Sequence, residues 1–288
     1  MKTIKELIEL LSLEQLEDHI FIGQNYQAPW GRVFGGQVLA QSLHAAYRTV
    51  PEDRIAHSMH GYFILGGNLD FPVTYEVDTI RNGGSFTTRR VVAKQNGRAI
   101  FNMAASFQLK QEGVDHQINM PNIVSPENLS TSLEQIEALK DLDPKIYQRL
   151  KMVLPEVFSF KMVDKIINKL SKNGSPFNNI WVRTSEPVVA EEPMRQQVLA
   201  YMSDYNLLNT ASLPHREILN KNNTFYASLD HAIWFHREID FDDWLLYAMD
   251  SPSASNARGF ARGSIFNKNG TLIASVAQEG LMRQEILK

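Results

Sequence analysis

Apolar and polar residues alternate along several stretches of this chain, the two-residue period of strands with one buried face. In the first half these runs cover residues 56–65, 73–81, 85–95 and 98–109; in the second, residues 225–237, 244–251, 256–267 and 272–282. Asn96-Gly97 and Asn269-Gly270 each separate the last two runs of a half. Asn-Gly between strand-like runs is the strongest short hairpin signal. Shorter runs at 19–23 and 179–184 stand further upstream in each half.

Between short run and long runs, each half changes to helical character. Gly35-Gly36-Gln37-Val38-Leu39-Ala40-Gln41-Ser42-Leu43 in the first half is echoed by Arg195-Gln196-Gln197-Val198-Leu199-Ala200-Tyr201 in the second. Pro193 stands where the second helix begins, its fixed φ suited to a first turn. Tyr75-Glu76-Val77-Asp78 is echoed by Tyr247-Ala248-Met249-Asp250. The chain therefore repeats itself once, at a separation of roughly 170 residues. Each half reads strand, helix, then four antiparallel strands. A single long helix beside so many strands predicts a sheet wrapped around it. Gly35, Gly36, Ala40, Ala45 and Ala46 leave room for that close approach.

Residues 126–175 differ from both halves. Leu133, Ile136, Leu139 and Leu142 have helical spacing, as do Val163, Ile166, Ile167 and Leu170, with Pro144 and Pro155 breaking the run. So apolar a stretch is a helical connector, not solvated coil. The expected class is α+β, with a first repeat at 1–125, a connector at 126–175 and a second repeat at 176–288. Residues 1–13 mix Lys2, Lys5, Glu6 and Glu9 with apolar positions and read as an amphipathic helix, not a signal peptide.

Composition narrows the chemistry. The chain has 288 residues and no cysteine, which removes disulfides, thiolate metal sites and cysteine nucleophiles. A net charge of −3 supplies no global basic field for nucleic acid. No run approaches the roughly 20 apolar residues of a membrane span. The last three residues, Ile286-Leu287-Lys288, are not a Ser-Lys-Leu address. A cytoplasmic protein is the expectation.

Polar residues concentrate in the second repeat. Asp204 follows Tyr201 by three positions at the end of the second helix, which puts it near the sheet-facing side. A carboxylate there needs partners; on spacing alone, a solvated helix-end Asp is the commoner outcome. In the run after residue 224, unbroken alternation puts Ser228 and Asp230 on one face and His231 on the other. Asp230 and His231 then cannot act as orienter and base of a triad. No Gly-x-Ser-x-Gly elbow surrounds Ser228 either; a strand serine is usually a packing residue. Gln278, on the last strand, offers both a donor and an acceptor. Counted from the Asn-Gly turns, its equivalent in the first repeat is Ala105, and His44 stands where the second helix carries Asp204. His57 and His60 read as polar strand positions. Gly35-Gly36 and Gly66-Gly67 lack the Lys-Ser/Thr ending of a phosphate loop. Arg89, Arg90, Arg258 and Arg262 supply positive charge near the sheet edges. They are candidates for phosphate contacts, although solvated strand arginines are commoner.

Several long motifs carry a resemblance. They are Trp30-Gly31-Arg32-Val33-Phe34-Gly35-Gly36-Gln37, His57-Ser58-Met59-His60-Gly61-Tyr62-Phe63, Arg81-Asn82-Gly83-Gly84-Ser85-Phe86-Thr87-Thr88-Arg89-Arg90, the segment from Ser228 to Arg237, and Ala257-Arg258-Gly259-Phe260-Ala261-Arg262-Gly263. In this order they resemble the acyl-CoA thioesterase II family over nearly the whole chain, least in the connector. The resemblance implies a double hot dog, two sheet-wrapped helices in one chain. It implies hydrolysis of acyl-CoA, often of medium or long chain, to free acid and CoA, without cofactor or metal, by a homodimer or homotetramer. It also implies a catalytic set of Asp204, Ser228 and Gln278. Many members carry Thr in place of Ser228; the hydroxyl is kept and a methyl lost, which loosens rotamer control. A water fixed by the three would attack the thioester, with backbone N–H groups at a helix start stabilising the oxyanion. Two rivals stay open at this point: an acyl-CoA hydratase or dehydratase, which needs an acid/base pair facing one pocket, and an acyl-CoA-binding module without turnover.

Overall fold

The computed structural model describes residues 1–166, 173–219 and 224–284. The first half contains helix α1 (Ile4–Leu11), strands β1 (Glu14–Glu17) and β2 (Ile20–Gly23), helix α2 (Gly35–Tyr47), and strands β3 (Ile55–Phe63), β4 (Val73–Asn82), β5 (Phe86–Gln95) and β6 (Arg98–Gln108). The second contains β7 (Phe158–Met162), β8 (Phe177–Thr184), helices α5 (Glu192–Ser203) and α6 (Leu207–Ser212), then β9 (Thr224–Ser228), β10 (Asp230–Phe235), β11 (Leu245–Ser255), β12 (Arg258–Asn267) and β13 (Leu272–Gln284). Helices α3 (Ser132–Glu137) and α4 (Pro144–Val153) lie between the halves.

Among the described residues, all the strands join one 13-stranded sheet in the order β1-β2-β4-β5-β6-β3-β10-β13-β12-β11-β8-β7, with β9 extending β10 alongside β13. Read from either end, the order visits equivalent strands of the two halves. The seam is the antiparallel pair β3–β10, where Met59 faces Ile233. Both residues are fully buried.

Helices α2 and α5 lie antiparallel against one another inside the curved sheet. The start of α2 meets the end of α5, because a Cβ added at Gly36 would fall 2.4 Å from the Tyr201 carbonyl. At the opposite end, the Tyr47 hydroxyl donates to Gln196 Oε1 at 2.5 Å. Ala40, Ala45 and Ala46 are buried, as the small-residue face requires. Helix α1 adds Ile4, Leu7 and Leu11 to the same core. The double hot dog that the resemblance implies, with the sheet-wrapped helices read from the repeat, is the observed fold.

Two local expectations differ from the structure. The outermost strands β1 and β7 were not expected. All four residues of β1 are exposed, so it shows no alternation, and β7 lies inside the stretch read as wholly helical. Pro144 breaks the helical run as expected: α3 ends before it and α4 starts on it, where the Asp143 side chain accepts from the Ile146 N–H as cap. The spacing of Val163 to Leu170 falls partly on residues 167–172, outside the described residues. The second difference, a break within residues 225–237, shapes the site.

Candidate active site

Asp204 caps the C-terminus of α5. Its side chain is 6% exposed, and burial pushes its pKa up from the ordinary aspartate value. Two donors oppose that push. The Gln278 amide nitrogen donates to Oδ1 at 2.8 Å, and the Gly36 backbone N–H donates to Oδ2 at 2.9 Å. Gly36 lies in the first turn of α2, whose N-terminal partial positive charge favours an anion. The C-terminal end of α5 disfavours one, so the donors matter more here. The backbone N–H expected to face an oxyanion is thus, at Gly36, engaged by Asp204.

Gln278 is fully buried in the middle of β13. Its amide nitrogen also lies 3.1 Å from Ser228 Oγ and 3.3 Å from His231 Nδ1. The structure therefore brings Asp204, Ser228 and Gln278 together.

His231 was not expected there. A strand alternating without interruption puts it on the face opposite Ser228. The observed chain inserts one residue: Ser228 faces Gly280 while Ala232 faces Ala277, four steps on one strand against three on the other. Such a bulge turns the following side chains over, so Ser228 and His231 reach the same amide. The sequence signal was weak, because neither Gly nor Pro marks position 229. Asp230 points away and accepts from the Glu279 N–H at 2.6 Å. Asp230 and His231 form no triad and no acid/base pair, as expected.

Two cavities meet at Asp204. One, of about 340 Å³, is lined by Arg32, Gly35, Phe63, Phe225, Ser228 and others. The other, of about 400 Å³, lies under the connector and is lined mainly by apolar residues, among them Ile136, Leu150, Val153, Phe160 and Met162. Trp30, Phe34 and Asp204 line both.

The equivalent end of the helix pair is different. His44 Nδ1 lies 3.0 Å from Gln197 Oε1, and burial lowers the imidazole pKa. Ala105, fully packed, stands opposite Met59.

The arginines singled out by charge are occupied elsewhere. Arg89 is buried and donates to the Thr49 and Asn82 side chains and to the backbone carbonyls of Thr49, Arg81 and Thr88. Arg90, Arg258 and Arg262 pair with Asp78, Glu279 and Asp250. Arg32 and Arg283 instead flank the Phe225 ring at the first cavity.

A family model described as acyl-CoA thioesterase matches residues 158–281, and one described as acyl-CoA thioesterase N-terminal domain matches residues 26–108. Acyl-CoA thioesterase 2 of Haemophilus influenzae is 37% identical, over 97% of this chain and 98% of its own length. This chain belongs to the acyl-CoA thioesterase family. Acyl-coenzyme A thioesterase 8 of Mus musculus, 38% identical over 95% of the chain and 88% of its own length, is a further relative. Among solved structures, acyl-CoA thioesterase II TesB2 from Mycobacterium marinum superposes with a TM-score of 0.80 at 37% identity, covering 98% of this chain and 99% of that one. As a member of the thioesterase family, the chain is a thioester hydrolase. The rival of a binding module without turnover falls with that assignment.

Proposed function

We propose that this thioesterase hydrolyses fatty acyl-CoA of medium to long chain, by direct attack of a water held by Asp204, Ser228 and Gln278. The observation that carries the reading is the buried Asp204 carboxylate, gripped by Gly36 and Gln278 where the two cavities meet. Burial raises its pKa, which makes it a stronger base than a solvated aspartate.

In this reading Asp204 takes a proton from the water as its oxygen bonds to the thioester carbonyl carbon. Ser228 orients the water directly, and Gln278 does so through the carboxylate that it holds. Gly35, the first residue of α2 and a wall of the first cavity, offers its N–H to the oxyanion. The tetrahedral intermediate collapses, the C–S bond breaks, and the thiolate leaves. It takes up the proton, and free acid and CoA depart. Thiolate leaves readily, so no dedicated acid at sulfur is needed. The apolar cavity under the connector receives the acyl chain. The first cavity receives the pantetheine arm, with the CoA phosphates near Arg32 and Arg283.

A thiol-release assay over a series of acyl-CoA chain lengths tests the substrate. Acid quenching during turnover, followed by intact mass measurement, tests the route. Direct water attack leaves the chain unmodified; an acyl group on Ser228 would establish nucleophilic catalysis instead.

A further inference from the structure

We propose that His231 is a positioning residue: through a directional chain of hydrogen bonds it fixes which end of the Gln278 amide faces Asp204. The proposal rests on the catalytic reading of Gln278 given above.

The chain starts in the backbone. Ser203 Oγ lies 2.9 Å from the Ala200 carbonyl and 3.0 Å from His231 Nε2. A carbonyl only accepts, so the single hydroxyl proton of Ser203 goes to Ala200. Ser203 Oγ must then accept, and His231 Nε2 carries the proton. The imidazole is 1% exposed, and burial depresses its pKa to about 3. It is therefore neutral, with one N–H only, and Nδ1 is an acceptor. Nδ1 faces the Gln278 amide nitrogen at 3.3 Å.

Gln278 Nε2 thus meets three acceptors, the Asp204 carboxylate at 2.8 Å, Ser228 Oγ at 3.1 Å and the His231 lone pair at 3.3 Å, which share its two hydrogens. The amide nitrogen is held towards all three, and Oε1 is turned away, buried without a hydrogen-bond partner among the described residues. A rotated amide would put its oxygen against the carboxylate and the imidazole lone pair together. The Asp204 contact alone gives the same preference, but Asp204 changes protonation as it works. His231 does not, so the amide keeps its direction at the moment when the carboxylate has taken the proton. The anchor is itself rigid: Ser203 is fully buried, and its carbonyl accepts from the Tyr247 hydroxyl at 2.8 Å.

The test separates the two imidazole nitrogens. His231→Asn keeps an acceptor near the Nδ1 position; His231→Gln reaches Ser203 but offers methylene to Gln278; His231→Leu keeps neither. The proposal expects Leu and Gln variants with kcat lowered about 10-fold to 100-fold at unchanged KM, and turnover largely restored in the Asn variant. In a Gln278→Ala background, His231→Leu adds no further loss. The imidazole ¹⁵N shifts of His231, assigned against the Asn variant, read the Nε2–H tautomer directly. Wild-type kcat in a folded Leu variant, losses that follow melting temperature alike in Asn, Gln and Leu, a full independent loss in the Gln278→Ala background, or an Nδ1–H tautomer would overturn it. Ser203→Ala, expected to weaken the tautomer preference and lower kcat, serves if the Leu variant does not fold. Wild-type turnover in Gln278→Ala alone would be a different result: it would remove the catalytic reading of the amide, and the role of His231 with it.

Discussion

The Gly36 N–H donates to Asp204 Oδ2 at 2.9 Å across 168 residues of sequence. The carboxylate of the second half is thereby held by the helix of the first. The setting of this carboxylate therefore draws on both halves.

Removing the carboxylate or the amide tests the proposed chemistry. Asp204→Asn and Gln278→Ala should each lower kcat by roughly 10²–10³, the scale of losing one proton-transfer or electrostatic element. Ser228→Thr should stay active, because the hydroxyl is kept. Steady-state thiol release with circular dichroism as a fold check measures both.

The acid limb of the pH profile should report Asp204. Only the ionised carboxylate accepts a proton, and its pKa is raised by burial. Activity should therefore disappear, as pH falls, at a higher pH than an ordinary aspartate would give. A kcat/KM profile with its acid limb at or below the ordinary aspartate value would contradict the assignment.

Gly35 guards the other side of the carboxylate. A Cβ there would lie 2.7 Å from Asp204 Oδ2 and 3.0 Å from the Phe63 ring. Gly35→Ala should displace the carboxylate and lower kcat about 10²-fold, with little loss of melting temperature. Equal activity in the alanine variant would show that the carboxylate tolerates the shift.

The connector should act as a ruler for the acyl chain. Leu150 on α4 lines the apolar cavity. Leu150→Trp fills part of it, so turnover should shift towards shorter acyl-CoA while short-chain activity persists. An unaltered chain-length profile would place the acyl chain elsewhere.

Glu192 gives a stability signature separate from catalysis. Half-buried at the start of α5, it accepts from the Ile239 N–H, and burial raises its pKa to about 7. The folded chain thus binds this proton more tightly than the unfolded chain. Its contribution is complete below the unfolded value of 4.5 and is lost as pH rises through about 7. Glu192→Gln should remove that decline, so its melting temperature should gain on the wild type between pH 5 and pH 8.

Much of this was legible in the sequence, because long period-2 runs, paired Asn-Gly turns and a repeated helix are local signals. They locate β3–β6 and β11–β13 to within a few residues. Asp204, Ser228 and Gln278 emerged from the family resemblance, not from spacing, which favoured a solvated Asp204. Strand β1 escaped because an edge strand exposed on both faces has no alternation. His231 escaped because a one-residue bulge after Ser228 inverts the faces, and a bulge without Gly or Pro leaves no local mark. The Gly36 contact escaped because backbone donors carry no side-chain signature.

The palindromic strand order meeting at β3–β10 has a wider meaning. A homodimer of one such half would be forced by symmetry to present identical ends, each with the same residues at both helix junctions. Joining the copies covalently lifts that constraint. One junction is free to pack a histidine and an alanine tightly for rigidity, while the other tolerates a buried anion beside open space.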